Sequence, residues 1–256
     1  MGVSMSTAQR WVERWELQQE HYALDRETRF TVIADVVEHL VGERERPLLL
    51  DLGCGPGSLS ARLAERLPHA EIVAVDMDPF LLELGRTHRP DAARYVDAVM
   101  GAAGWADALG LERPVDAAVS TTALHYLPEP VLATVYGELA RRLGADGAVV
   151  NGDHFPAEDP WRARLTAHLG HRFAQRSRSD GREDWESWWA AAAREQEFVD
   201  LLERRESRYA ALEGADGTGD GLGVSRHVEL LRKAGFSEAG LVWQYGDSGV
   251  LVARRA

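Results

Sequence analysis

Leu48-Leu49-Leu50-Asp51-Leu52-Gly53-Cys54-Gly55-Pro56-Gly57-Ser58 is the most informative stretch of the chain. An apolar run short enough for a buried strand gives way to a turn with glycine at every second position. Leu59, Leu63 and Leu67 then recur at helical spacing. Glycines placed this way let backbone pass close to a ligand with no Cβ in between. A dinucleotide fingerprint would space them Gly-x-Gly-x-x-Gly, and a phosphate-binding P-loop would close on Gly-Lys-Ser/Thr. Ser58 follows Gly57 directly with no lysine before it, so neither pattern fits. A glycine turn with a purely structural role is the plain alternative.

Working outward, residues 71–75 read as a second strand, with Asp76 at its end, about 20 residues past the glycine loop, where a carboxylate can accept from ribose hydroxyls. Helix capping is the competing role for this acid. Asp78-Pro79 reads as an N-cap with proline in the first helical position, opening a helix over 80–88. Further strands are expected at 93–99, 115–120 and 148–151, with a helix from Pro130 to Leu143 stopped by Gly144. A helix capped by Ser225 and closed by Gly235, then strands at 240–245 and 249–254, complete the pattern.

This alternation predicts an α/β fold: a three-layer, doubly wound, seven-stranded, mostly parallel sheet with ligands beyond the carboxyl ends of its strands. The expected divisions are N-terminal helices covering the site over 1–46, a Rossmann-like core over 47–156, a helical lid insertion over 157–213, and a closing helix and strand pair over 214–256.

The 256 residues suit one such core with an insertion. Hydrophobic residues at 45% and charged residues at 27% are ordinary for a globular chain. There is no apolar run of roughly 18 residues, which argues against a membrane partner and for a cytoplasmic protein. A formal charge of −12 argues against nucleic acid as a partner. The lone Cys54 excludes an internal disulfide, and no His/Cys/Asp cluster has metal-ligand spacing, so no metal is expected.

The octapeptide 50–57, straight after an apolar strand, resembles motif I of the class I (Rossmann-like) S-adenosylmethionine-dependent methyltransferases, of the bacterial small-molecule type. The resemblance implies S-adenosyl-L-methionine as cofactor and S-adenosyl-L-homocysteine as product. It places Asp51, Gly53, Cys54, Gly55 and Gly57 against the methionine and ribose portion, Asp76 on the ribose, and Met77 on the adenine face. In the family, the third strand usually ends with an acid that meets the adenine amine, followed by a residue whose backbone N–H meets the ring. Here Val99 falls in the acid's place and Met100 after it. Asp97 sits two residues early, on the same face but roughly 6–7 Å away. Ser120, in the segment 118–128, is placed at the methyl-donor end.

The activity implied is methylation of a small molecule at N, O or C, with an aromatic or indolic acceptor as the narrower expectation, by a monomer or homodimer. Two alternatives stand beside it. One is a non-catalytic cofactor-binding relative, suggested by Val99. The other is an NAD-dependent oxidoreductase, whose glycine spacing would differ.

Methyl transfer from a sulfonium needs alignment, exclusion of water and sometimes a base. His154, just past the fifth strand, is the first candidate base, with Asp153 either orienting it or capping a turn. His125, Tyr22 and His21 come next. His69, His88 and His227 are expected to be exposed, and Arg26 and Arg29 to form a solvated helix face unless they reach the cofactor carboxylate. Trp185, Trp188 and Trp189 share one helical face, which reads as packing or as a flat wall for an aromatic acceptor.

Overall fold

The computed structural model describes residues 2–22, 25–177, 183–212 and 221–255. Its strands are β1 Leu48–Leu52, β2 Glu71–Asp76, β3 Arg94–Asp97, β4 Val115–Thr121, β5 Leu143–His154, β6 Phe236–Tyr245 and β7 Ser248–Arg255. They form one sheet in the order β3-β2-β1-β4-β5-β7-β6, so the expected seven-stranded α/β sheet is present. β1 to β5 run parallel, and β7 is antiparallel to both β5 and β6.

Ten α-helices lie among the described residues: α1 Met5–Tyr22, α2 Arg26–Val41, α3 Ser58–Arg66, α4 Pro79–His88, α5 Trp105–Ala108, α6 Glu129–Arg142, α7 Pro160–Ser177, α8 Trp185–Ala192, α9 Val199–Ala211 and α10 Val224–Ala234. Alternate side chains of β1 go to opposite faces, both of them covered, which explains why the strand is apolar but for Asp51. Leu48, Leu50 and Leu52 pack with Val135 and Leu139 of α6 and Leu231 of α10. Leu49 packs with Phe30, Ile33 and Val37 of α2 and Leu59 and Leu63 of α3.

Several boundaries differ from the sequence expectation. β3 stops at Asp97 rather than 99, because Ala98 N–H still bonds to Asp76 O but the chain then turns, with Ala102 N–H on Val99 O and Gly101 at φ 85°. β5 starts at Leu143, and its pairing with β4 slips between Val115 and Ala117 before regular register begins at Ala148. α10 opens at Val224 with Gly223 in the cap position, not Ser225, while Gly235 closes it in the left-handed region as expected. Asp78 caps α4 as read, accepting from the Phe80 and Leu81 N–H groups ahead of Pro79.

The helices α7 to α9 fall between β5 and α10. Trp188 of α8 is fully buried, with its ring 5.3 Å from Trp11 and 5.2 Å from Trp15 of α1, and Phe80 of α4 meets Phe198 edge to face at 4.7 Å. The tryptophan stripe thus ties the inserted helices to α1 and α4. Truncating Trp188 to alanine would cost about 3–5 kcal/mol. Much of the Gly/Asp-rich linker lies at 213–220, outside the described residues.

Candidate functional site

The glycine turn leaves β1 and folds back on β2. Gly53 and Cys54 N–H groups both bond to Val75 O, at 2.8 and 3.1 Å, and Gly55 N–H donates to Asp76 Oδ2 at 2.7 Å. Gly53, Gly55 and Gly57 all have positive φ, which side chains with a Cβ rarely adopt. A Cβ on Gly53 would sit 2.3 Å from Ala123 Cβ, and one on Gly57 would sit 2.3 Å from the Tyr95 hydroxyl. At Gly55 the nearest atoms are 3.8 and 4.0 Å away, on Trp15 and Leu81, so this glycine alone of the three faces room. The Cys54 thiol is buried, and burial pushes its pKa up, so it is a packing group and not a nucleophile.

Three carboxylates stand at the carboxyl ends of three neighbouring strands. Asp51 of β1 is fully buried; Ser60 Oγ donates to its Oδ2 at 2.6 Å, while Oδ1 has no partner among the described residues. Burial pushes its pKa up to about 7 in spite of the Ser60 bond. Asp76 ends β2. Burial pushes it up to about 6 against the N–H bonds it accepts from Asp78 and Gly55. Asp97 ends β3 in register with Asp76. Arg208 of α9 grips it from both sides, Nη1 to Oδ1 at 2.6 Å and Nη2 to Oδ2 at 3.1 Å.

The family's cofactor fits this set, because it presents three donor groups in a row: an ammonium, a ribose diol and an adenine amine. The three acids offer acceptors in the same order, and the buried, unpartnered Asp51 Oδ1 is an acceptor lacking a donor. Met77 lies beside Asp76, and its carbonyl accepts from Arg208 at 3.2 Å. Val99 and Met100 lie in the turn beyond β3, and the Met100 methyl is 3.7 Å from the Cβ position of Gly53.

Ser120, Arg29 and Arg26 each have partners that the sequence does not reveal. The Ser120 hydroxyl is fully buried and donates to Leu52 O at 2.9 Å, which fastens β4 to β1. Thr122 is the hydroxyl beyond the strand. It has φ 52°, a left-handed conformation that costs a residue of its kind on the order of 1–3 kcal/mol. Arg29 does not lie on a solvated helix face: it is fully buried, donating from Nη2 to Thr122 Oγ1 and from Nη1 to Ser248 Oγ, with Nε unpartnered among the described residues. Burial pulls its pKa down to about 10, opposed chiefly by the charge of Asp153, so it stays a cation near neutrality. Arg26 is also buried, paired with Glu16 at 2.6 Å.

At the ends of β4 and β5 lies a pair that the sequence divided differently. Asp153 is buried, and its carboxylate belongs to His125: Oδ1 is 2.6 Å from His125 Nδ1, and Oδ2 accepts the His125 backbone N–H at 3.1 Å. Burial alone would raise the Asp153 pKa, but the hydrogen bond and charge of His125, with help from His154, hold it below the usual carboxylate range. His154, the first candidate base, takes only a backbone bond to Asp153 and has its Nδ1 3.4 Å from Asp247 Oδ2. The two imidazoles are 5.9 Å apart, centre to centre. The Tyr22 and His21 side chains lie outside the described residues.

His227, expected to be exposed, is buried between α10 and α6, where its Nδ1 is 2.7 Å from the Tyr136 hydroxyl and burial lowers its pKa. Among the described residues no group of His, Cys, Asp and Glu is arranged to hold a metal, and no helix is long and apolar enough to cross a membrane.

Residues 49–147 match the family model for a methyltransferase domain. Trans-aconitate 2-methyltransferase of Methylobacterium radiotolerans is 37% identical over 95 residues, which cover 36% of this chain and 34% of that protein. The chain thus matches about a third of the length of that curated relative. Among solved structures, the CurJ carbon methyltransferase has a TM-score of 0.58 at 15% identity, covering 89% of this chain and 54% of that one. An O-methyltransferase family protein from Burkholderia thailandensis has a TM-score of 0.55, also at 15% identity, covering 88% and 56%. At these identities the two structures speak for the fold.

Proposed function

We propose that this chain is a class I S-adenosylmethionine-dependent methyltransferase that transfers the cofactor's methyl group to a small-molecule acceptor, a reading supported by the match of residues 49–147 to a methyltransferase-domain model. The observation that carries the proposal is the row of Asp51, Asp76 and Asp97 on adjacent strand ends, beside a glycine loop whose Gly55 faces room. Asp51 receives the ammonium, Asp76 the ribose and Asp97 the adenine amine. Val99, given the acid's place from the sequence, lies past the end of β3, and Asp97 is level with Asp76. When bound, the cofactor supplies an electrophilic methyl group on a sulfonium. The helices between β5 and α10 act as the lid that excludes water. Thermal stabilisation by S-adenosylhomocysteine and not by NADH tests the class and separates it from an oxidoreductase.

The base in this reading is His125. Asp153 fixes the Nδ1 tautomer and stabilises the imidazolium that forms, leaving Nε2 to take the acceptor's proton. His154 lies behind it as the second candidate.

Arg29 favours a second reading, in which the acceptor carries a carboxylate. A fully buried guanidinium that feels the charge of Asp153 but is hydrogen-bonded to two neutral hydroxyls, with Nε unpartnered among the described residues, suits a carboxylate ligand, and the Methylobacterium relative is named for trans-aconitate. A carboxylate is already nucleophilic, so methylating it would not need His125. An alkali-labile product would mark a methyl ester and favour this reading.

A further inference from the structure

We propose that Arg208, on the inserted helix α9, is a positioning residue for the adenine contact. It holds the Asp97 carboxylate as a fixed acceptor for an exocyclic amine, so the insertion takes part in deciding which purine the cofactor carries. This inference rests on the cofactor assignment above. A carboxylate at the end of a four-residue strand, with 28% of its side chain exposed, is free to rotate unless something holds it. Arg208 binds both oxygens through a planar fork, which fixes the plane of the carboxylate and leaves each oxygen with further acceptor capacity.

The fork is itself held in place. Nη1 of Arg208 also donates to Met77 O at 3.2 Å. Arg205, one helical turn earlier on the same face of α9, donates from Nε to Asp78 Oδ2 at 2.7 Å. Its guanidinium lies 3.9 Å from the Trp189 ring and 4.4 Å from the Tyr209 ring. Trp189 in turn packs on Phe80 of α4 at 5.6 Å. α9 is therefore docked on the residues that follow β2 and on the last residue of β3, through two arginines that each engage an acid.

An acceptor fixed in this way discriminates by chemistry. It accepts an N–H from the 6-amino group of adenine and repels the 6-oxo group of hypoxanthine. S-adenosylhomocysteine and S-inosylhomocysteine differ at that position and at N1, which turns from acceptor to donor, so it is the change in the ratio of their dissociation constants between wild type and the variants that reads the orientation of Asp97.

The test is calorimetric titration of the full chain and its variants with both compounds. Wild type is expected to favour S-adenosylhomocysteine by about 10²-fold or more, since a site built to receive a hydrogen bond rejects an analogue lacking the donor. In Arg208→Met the affinity for S-adenosylhomocysteine should fall about tenfold, an order-of-magnitude expectation for one lost charge-assisted contact, while that for S-inosylhomocysteine stays nearly unchanged. Arg208→Lys keeps the charge and stem but loses the fork, so it should also show reduced discrimination, and it carries the test if the methionine variant fails to fold. Equal weakening of both compounds would make Arg208 a strut of the fold and overturn the proposal. Tighter binding of S-adenosylhomocysteine by Arg208→Met would show that Arg208 competes with adenine, and would overturn it as well. An unchanged ratio in Asp97→Asn would remove Asp97 from the adenine contact and the proposal with it, leaving the methyltransferase reading intact. A wild type that bound neither compound would instead sink the cofactor assignment itself.

Discussion

His125 Nδ1 lies 2.6 Å from Asp153 Oδ1, and the same carboxylate accepts the His125 backbone N–H through its other oxygen. A buried acid thus fixes both the ring and the main chain of one histidine at the carboxyl ends of β4 and β5. His125→Ala should therefore lower the maximal rate by roughly 10²–10⁴-fold, the range for a general acid-base group, while leaving S-adenosylhomocysteine affinity almost unchanged. The same substitution at His154 should cost about tenfold or less, through positioning alone. Steady-state kinetics on the two variants decide between them. A larger loss at His154 would return the base role to it.

If Asp51 and Asp76 hold the cofactor as proposed, its binding should depend on pH. Their values of about 7 and about 6 lie above the ~3.9 of an unfolded aspartate, so the empty folded protein holds more protons than the unfolded chain through that window. These two groups therefore lower the stability of the empty protein as pH rises from about 4 to about 7. The ligand's donors favour the ionised carboxylates, so affinity should rise with pH over the same range. Binding at about pH 6 should release protons, measured as a dependence of the titration heat on the buffer's ionisation enthalpy. Proton uptake would contradict the assignment of these acids.

Asp76→Ala removes the proposed ribose acceptor and also frees the Gly55 N–H that anchors the loop. Affinity for S-adenosylhomocysteine should fall by about 2–4 kcal/mol in a protein that still unfolds cooperatively. Calorimetry showing wild-type affinity would remove Asp76 from the site.

Gly55→Val places a branched side chain where the protein leaves room, at a φ of 52° that valine resists. Apart from its two chain neighbours, no atom of the described residues lies closer than 3.8 Å to the new Cβ, so the damage should fall mainly on ligand affinity and less on the core. Near-normal affinity in this variant would show that the space before Gly55 is not the cofactor's.

What the sequence made legible was local: the glycine turn, the acid ending β2, the Asp78-Pro79 cap and the strand-helix rhythm each sit within a few residues. The His125–Asp153 pair was misdivided because it depends on the parallel register of β4 and β5, in which Thr121 lies beside Gly152. That register brings the residues just after one strand against those ending the other. The sequence suggests a solvated Arg29 because charge usually marks an exposed helix face, whereas α2 buries that turn against Thr122 and Ser248. The sequence carries β3 two residues too far because the apolar Ala98 and Val99 continue the strand's composition into a turn. Arg208 and Asp97 are 111 residues apart, joined only when α9 docks, and no spacing rule connects them.

The most direct test of the central claim is calorimetric titration of the purified chain with S-adenosylhomocysteine at about pH 8, above the values to which burial pushes Asp51 and Asp76. The account predicts saturable binding of one ligand per chain, weakened by Asp76→Ala, with no heat from NADH under the same conditions. Absence of binding by S-adenosylhomocysteine, or binding that Asp51, Asp76 and Asp97 variants all leave untouched, would contradict it.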